Sequence, residues 1–128
     1  MMVIMFAISS KMMFVAQARN IEDFENFTVY YQTTTVGEKY TKYLYKTRNL
    51  EYAILNLTET TANGKWITAI MRNDDGEARG SVNMQVGTRK QFSTTGMAGY
   101  KYRLGIRKTY NKDGLAAVLY GSWSPDYK

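Results

Sequence analysis

The sequence predicts an all-β protein, an antiparallel β-sandwich of about six to eight short strands, with a barrel as the alternative architecture. Apolar residues after position 26 recur with a period of two rather than 3.6, which is the strand period. Turn sequences separate these runs about every 8–12 residues, as is typical of sandwiches and barrels. The body is also rich in strand-forming tyrosine, and all eleven tyrosines lie at Tyr30 or later.

The first eighteen residues differ from this body, and we predict that 1–18 is an apolar leader, a signal peptide. Ala16-Gln17-Ala18 has the small-x-small form of a cleavage site, so the mature chain would begin at Arg19 and be secreted. The alternatives are a helix packed on the domain and a membrane anchor, because Lys11 interrupts the apolar stretch and no basic residue precedes it.

Residues 19–128 are predicted to form a single β-sandwich domain, since the chain is too short for two ordinary ones. Before the first strand, Ile21–Phe27 is the only segment that could hold a helical turn, with Asn20 as its cap. The first three strand-like runs are Phe27–Thr33, Tyr40–Thr47 and Leu50–Thr58.

Turn signals delimit the later strands. Asn63-Gly64 suits a hairpin turn before Lys65–Arg72, and Asp74-Asp75-Gly76 suits the next turn. After Ser81–Val86, the clearest alternation is Tyr100–Lys108, where Tyr100, Tyr102, Leu104 and Ile106 face one way and the basic residues face the other. Lys112-Asp113-Gly114 then predicts a hairpin into Leu115–Trp123, and Pro125 should end the pairing.

The composition argues against an enzyme. Without any cysteine or histidine the chain has no thiol nucleophile, imidazole base or usual zinc ligand set, and no glycine-rich phosphate loop is present. We therefore expect no cofactor. A hydrolase that uses carboxylates on a glycan, with Asp74 or Asp126 among them, is the catalytic alternative.

Two groups of residues are candidate sites. Asp74, Asp75 and Glu77 form the densest acidic cluster and are a weak metal candidate, although a hairpin turn selects the same residues. The second group is a candidate binding surface of cations and tyrosines: Lys101, Arg103, Arg107, Tyr43 and Tyr45.

The net charge of +6 suggests what this second surface would attract. An anionic cell-wall polymer or membrane surface would be drawn to it, and nucleic acid is a less favoured partner. The alternative is an ordinary solvated sheet face, where outward Lys and Arg protect the strands.

The segment GYKYRLGIRK and the ending GSWSPD (Gly121–Asp126) carry a resemblance, together with Lys65-Trp66 and the AQA-type leader. In these features the chain resembles a family of small exported, β-rich proteins of Gram-positive bacteria whose function is unknown. It is more distantly similar to lactococcin-type β-sandwich bacteriocins, which are also exported, cationic and rich in Trp and Tyr. The resemblance implies an exported β protein and no site residues.

These inferences favour a non-catalytic protein that is secreted or associated with the cell envelope and acts by surface binding. A secreted bacteriocin-like antimicrobial protein is the first alternative, and the carboxylate-dependent glycan hydrolase is the second.

Overall fold

A computed structural model describes residues 19–31, 38–58, 60, 63–110 and 115–127. The predicted leader, residues 1–18, lies outside these ranges. The described residues form nine strands and no helix: β1 (Glu22–Val29), β2 (Lys39–Tyr40), β3 (Leu44–Tyr45), β4 (Ala53–Leu57), β5 (Trp66–Asn73), β6 (Ala78–Gln85), β7 (Arg89–Phe92), β8 (Lys101–Lys108) and β9 (Ala117–Ser124). Within these ranges there is accordingly no helix that could span a membrane.

The strands lie in two sheets, and every pairing between them is antiparallel. One sheet has four strands in the order β1-β9-β4-β7. The other has five, in the order β2-β8-β5-β6, with β3 also paired to β8. This arrangement confirms the predicted all-β fold and, of the two predicted architectures, is the sandwich rather than the barrel.

The core combines the inward faces of both sheets. On β5, Ile67, Ala69 and Met71 are fully buried and alternate with more exposed residues, which is the pattern of a strand with one covered face. Leu55 and Leu119 of the four-stranded sheet belong to the same apolar cluster and are equally buried. Positions of opposite parity therefore point outward, and on β8 these carry the candidate binding residues.

Two local predictions near the first strands are wrong. Ile21–Phe27 holds no helical turn, because Glu22–Val29 is a strand that pairs with β9 on both sides of an irregularity between Phe24 and Phe27. Asn63-Gly64 does not join a hairpin: β4 lies in the four-stranded sheet and β5 in the five-stranded one, so the chain crosses between sheets there. Only Gly64 of this dipeptide has a positive φ, whereas a type I′ turn needs two.

Other boundaries agree in part. Asp74-Asp75-Gly76 does connect a hairpin, that of β5 and β6, with φ of +83° at Gly76. The run 40–47 is broken into two short strands, and the strand Arg89–Phe92 was not predicted. Residues 112–114 lie outside the described residues, but β8 and β9 belong to different sheets and are not a hairpin. Pairing ends at Ser124, next to Pro125, as expected.

Candidate functional site: an arginine–tyrosine face

The predicted cationic residues of β8 lie together on the outer side of the five-stranded sheet. Strand alternation places them there, because each basic residue follows or precedes a buried one. The outward residues are Lys101, Arg103 and Arg107, and the inward ones are Tyr102, Leu104 and Ile106. We call the outward set, with Tyr40 and Tyr43 stacked on it, the arginine–tyrosine face.

The two tyrosines hold the cations in place through cation–π contacts. The Arg103 guanidinium carbon lies 3.8 Å from the ring centroid of Tyr40 and 4.8 Å from that of Tyr43. The Lys101 Nζ lies 5.1 Å from the Tyr43 centroid. Such contacts stabilise by about 0.5–1 kcal/mol at exposed sites, and more when water is excluded. The side chains of Lys101 and Arg103 are thus restricted before any ligand arrives.

A buried carboxylate binds Arg107 of this face and one further arginine, Arg72. Glu38, whose side chain is fully buried, accepts two hydrogen bonds of 3.0 Å from Arg72 and one of 3.5 Å from Arg107. The hydrogen bonds that Arg72 donates to Glu38 raise the pKa of Arg72, so its guanidinium stays charged. Gly105 makes the space for this group, because a Cβ there would lie 2.0 Å from a carboxylate oxygen of Glu38.

The face therefore has a surplus of positive charge. With Arg72 counted, four cations lie here and Glu38 offsets one of them; among the described residues, Glu38 forms ion pairs only with Arg72 and Arg107. Within the described part of the chain, Lys101 and Arg103 have no carboxylate within ion-pair distance, and Arg103 makes no hydrogen bond through its guanidinium. The Arg103 Nε is buried and has no hydrogen-bond partner.

Three further exposed tyrosines lie at two different places. Tyr45 is 59% exposed and lies opposite Lys101 in the β3–β8 pairing, so it borders the arginine–tyrosine face. Tyr30 and Tyr31 lie at the far end of β8: the Tyr30 carbonyl accepts from the amide of Lys108. Seven residues of extended strand, roughly 23 Å, separate the two places.

Several residues with exposed large side chains lie on neighbouring backbone segments at this far end of the sandwich. The Trp66 carbonyl accepts from the amide of Thr109, and the Leu115 carbonyl accepts from the ammonium of Lys108. We call the exposed large residues here the aromatic end: Tyr30, Tyr31, Trp66, Tyr110 and Leu115.

The acidic cluster forms a hairpin turn in this structure. The Asn73 Oδ1 accepts from the amides of Asp75 and Glu77, which is the Asx pattern that such turns favour. The Glu77 carboxylate accepts from Asn73 Nδ2 and from Arg79, and these contacts lower its pKa. Among the described residues, which include Asp74, Asp75 and Glu77, no three acidic side chains are arranged so that they could hold a metal ion.

Asp126, the other acidic residue considered for hydrolysis, is buried at 0% exposure. Its carboxylate accepts hydrogen bonds from Lys46 and Thr47 and from the amide of Arg48. With its oxygens occupied in this way, Asp126 acts as a structural group.

No protein-family model, no curated protein and no solved structure matches this chain. The residues that sequence reasoning missed are Glu38 and Arg72, which complete the charge balance of the face. Tyr40 was named only as the first residue of the strand-like run Tyr40–Thr47. A glycine in the middle of the cationic strand, Gly105, is the one local signal that something packs closely there.

Proposed function

We propose that the protein is an exported, non-catalytic domain that binds an anionic polymer of the cell envelope through its arginine–tyrosine face. The observation that carries this proposal is the state of Arg103, a cation stacked between two tyrosines with no carboxylate and no hydrogen-bond acceptor of its own. A repeating phosphodiester would supply acceptors to a row of such cations, and its charge would be drawn to the surplus on this face.

The restricted side chains favour affinity. Stacking has already fixed the arginine and the lysine, so binding costs less side-chain entropy than it would for free surface cations. Arg107 and Arg72, which share Glu38, extend the positive strip across two strands. A chain-like ligand fits this extended and open face better than a compact one does.

The test is calorimetric titration with a poly(glycerol phosphate) of the kind found in Gram-positive walls, at several salt concentrations. We expect the double variant Lys101→Gln/Arg103→Gln to weaken binding about tenfold or more. It should also reduce the slope of log K against log salt by about one per cation removed, as for Lys and Arg contacts to nucleic-acid phosphates.

The matched control is Arg48→Gln/Lys90→Gln, which removes the same two residue types from exposed positions outside the face. An equal loss in both double variants would show that only net charge matters and would refute the assignment to this face.

A single-stranded oligonucleotide should bind more weakly than the wall polymer. For the export part of the proposal, protein recovered from culture medium should begin at Arg19; an intact Met1 on cytosolic protein would contradict it.

The aromatic end favours a second candidate, a membrane-active antimicrobial protein. Tyrosine and tryptophan have an apolar body and a polar tip, and they concentrate at the lipid–water boundary. Here Tyr30 is 58% exposed, Tyr110 52% and Trp66 41%, on neighbouring backbone segments. Exposed groups of large apolar side chains commonly mark a surface that contacts a membrane or another protein.

This candidate predicts that Trp66 inserts at a bilayer surface. Its fluorescence should be quenched by vesicles that contain brominated phosphatidylglycerol, and the Trp66→Phe variant should lose that quenching because Trp123 is buried. Tyr30→Ser/Tyr110→Ser should reduce vesicle binding, whereas Tyr52→Ser, also at an exposed tyrosine, should not. Quenching that persists in Trp66→Phe would exclude this orientation.

A further inference from the structure

A small cavity lies on the opposite face of the sandwich, on the outer side of the four-stranded sheet. Its volume is ≈ 160 Å³, and its lining includes two arginines but no carboxylate: Arg19, Ile21, Ile54, Asn56, Arg89, Ser122, Trp123 and Ser124. Drug-sized ligands occupy pockets of roughly 300–1,000 Å³. This cavity has the size for one small group instead.

Strand register builds the polar floor of the cavity. Asn56 lies opposite Arg89 of β7 on one side and opposite Ser122 of β9 on the other. Residues paired in this way project to the same side of a sheet, so three neighbouring strands present a guanidinium, an amide and a hydroxyl in one row. Along the described chain, the side chains of Asn56 and Ser122 make no hydrogen bond, and Arg89 makes only a ring contact, 5.9 Å from the Tyr127 centroid.

The second arginine is fixed by the C-terminal segment. The Nη1 of Arg19 donates to the carbonyls of Asp126 and Tyr127, which anchors the guanidinium beside the row. The Asp126 carboxylate cannot neutralise it, because its oxygens accept from Lys46, Thr47 and Arg48. Arg19 therefore keeps its charge and its other donors available at the cavity.

We propose that this cavity binds a phosphoryl group. Two guanidiniums, an amide and a hydroxyl around a space of this size match the charge and the several acceptor oxygens of such a group. Asp23 lies opposite Ser122 in the β1–β9 pairing and is the nearest carboxylate in register, outside the cavity lining. Its negative charge opposes the anion. The site is separate from the arginine–tyrosine face and does not depend on the polymer proposal.

The experiment is titration of the full chain with inorganic phosphate at constant ionic strength, followed by backbone amide resonances. Saturable shifts are expected at Asn56, Arg89 and Ser122, with glycerol phosphate giving the same pattern and acetate none. Arg89→Gln should raise the Kd about tenfold, the usual cost of one charge-assisted contact.

Two further variants separate a specific site from general charge. Lys90 is next to Arg89 in β7, but its side chain projects to the side of the sheet away from the cavity. Lys90→Gln should therefore leave the Kd for phosphate unchanged. Asp23→Asn should lower the Kd for phosphate, because it removes a repelling charge. A variant that folded poorly would bind phosphate more weakly, so the two effects can be told apart. Three results would each overturn the proposal. The resonance shifts could fail to saturate, or Arg89→Gln and Lys90→Gln could change the Kd equally. The shifts could also appear at Lys101 and Arg103 instead of at the cavity.

Discussion

Replacement of Trp123 by Ala is expected to lower the free energy of unfolding by about 3–5 kcal/mol, the range found when buried aromatic residues are truncated. Trp123 is 1% exposed and lies in β9, at the middle of the four-stranded sheet. It stands opposite Leu55 of β4 and Glu22 of β1, and its Nε1 donates to the Glu22 carboxylate at 3.1 Å. The substitution therefore removes a large apolar volume and leaves a carboxylate oxygen with one partner fewer.

Urea unfolding followed by far-ultraviolet circular dichroism measures this loss, since tryptophan fluorescence itself changes in the variant. Trp66→Ala is the matched control: Trp66 is 41% exposed, so its removal should cost about 1 kcal/mol or less. Trp123→Phe should fall between the two, because part of the volume remains. An unchanged urea midpoint in Trp123→Ala would mean that the sandwich is not packed on this residue.

The period-two pattern was sufficient to predict the fold class, and β8 shows why. Tyr102, Leu104 and Ile106 are all buried, so local alternation translated directly into an inside and an outside. Tyr100 was assigned to the same face but is 64% exposed, because the strand begins only at Lys101. Alternation in the sequence predicts which side chains lie on each face of a strand. Where the strand begins and ends depends on the strands with which it pairs.

Sheet membership was less predictable. Asn63-Gly64 has the composition of a tight hairpin, yet the strands on either side of it belong to different sheets. A turn motif reports local backbone preference, whereas the sheet a strand joins depends on partners far along the chain. β1 makes the same point, since a segment with some helical character forms a strand because β9 is beside it.

The candidate face was foreseen only in its outline. Lys101, Arg103 and Arg107 could be placed on one side of β8 from spacing alone. The stacking of Arg103 on Tyr40 and the hydrogen bond from Arg107 to Glu38 each join residues that are more than sixty positions apart. No periodic signal encodes such pairs, so the surplus charge at Lys101 and Arg103 could not be located before the fold was known.

The least predictable contact is an ion pair buried in the interior. Lys46 and Asp126 both have side chains that are 0% exposed, and their charged atoms are 3.0 Å apart. The Lys46 ammonium also donates to the carbonyls of Glu51 and Pro125. Gly96 leaves room for the lysine stem, because a Cβ there would lie 2.9 Å from Lys46 Cδ. From the sequence, Lys46 could be placed only within the strand-like run Tyr40–Thr47, and nothing in that run indicates that its charge would be buried.

Asp126→Ala is expected to destabilise the fold by about 3–5 kcal/mol, the cost typical of breaking a buried ion pair from one side. The carboxylate accepts from Lys46 Nζ at 3.0 Å and from the amides of Thr47 and Arg48 at 2.8 and 3.2 Å. Its removal leaves a buried ammonium without its counter-charge and two amides without acceptors. Urea unfolding of the variant measures the loss.

The double variant Lys46→Met/Asp126→Ala decides whether the charge or the packing dominates. Methionine fills a similar space without a charge, so the double variant should be more stable than Asp126→Ala alone. The coupling free energy from the four proteins of this cycle should be about 1–3 kcal/mol, the upper part of the range for contacting residues. If the effects of the two substitutions simply add, the ion pair does not hold the C-terminal segment against 46–48, and Asp126 stabilises the fold only through its hydrogen bonds from Thr47 and Arg48.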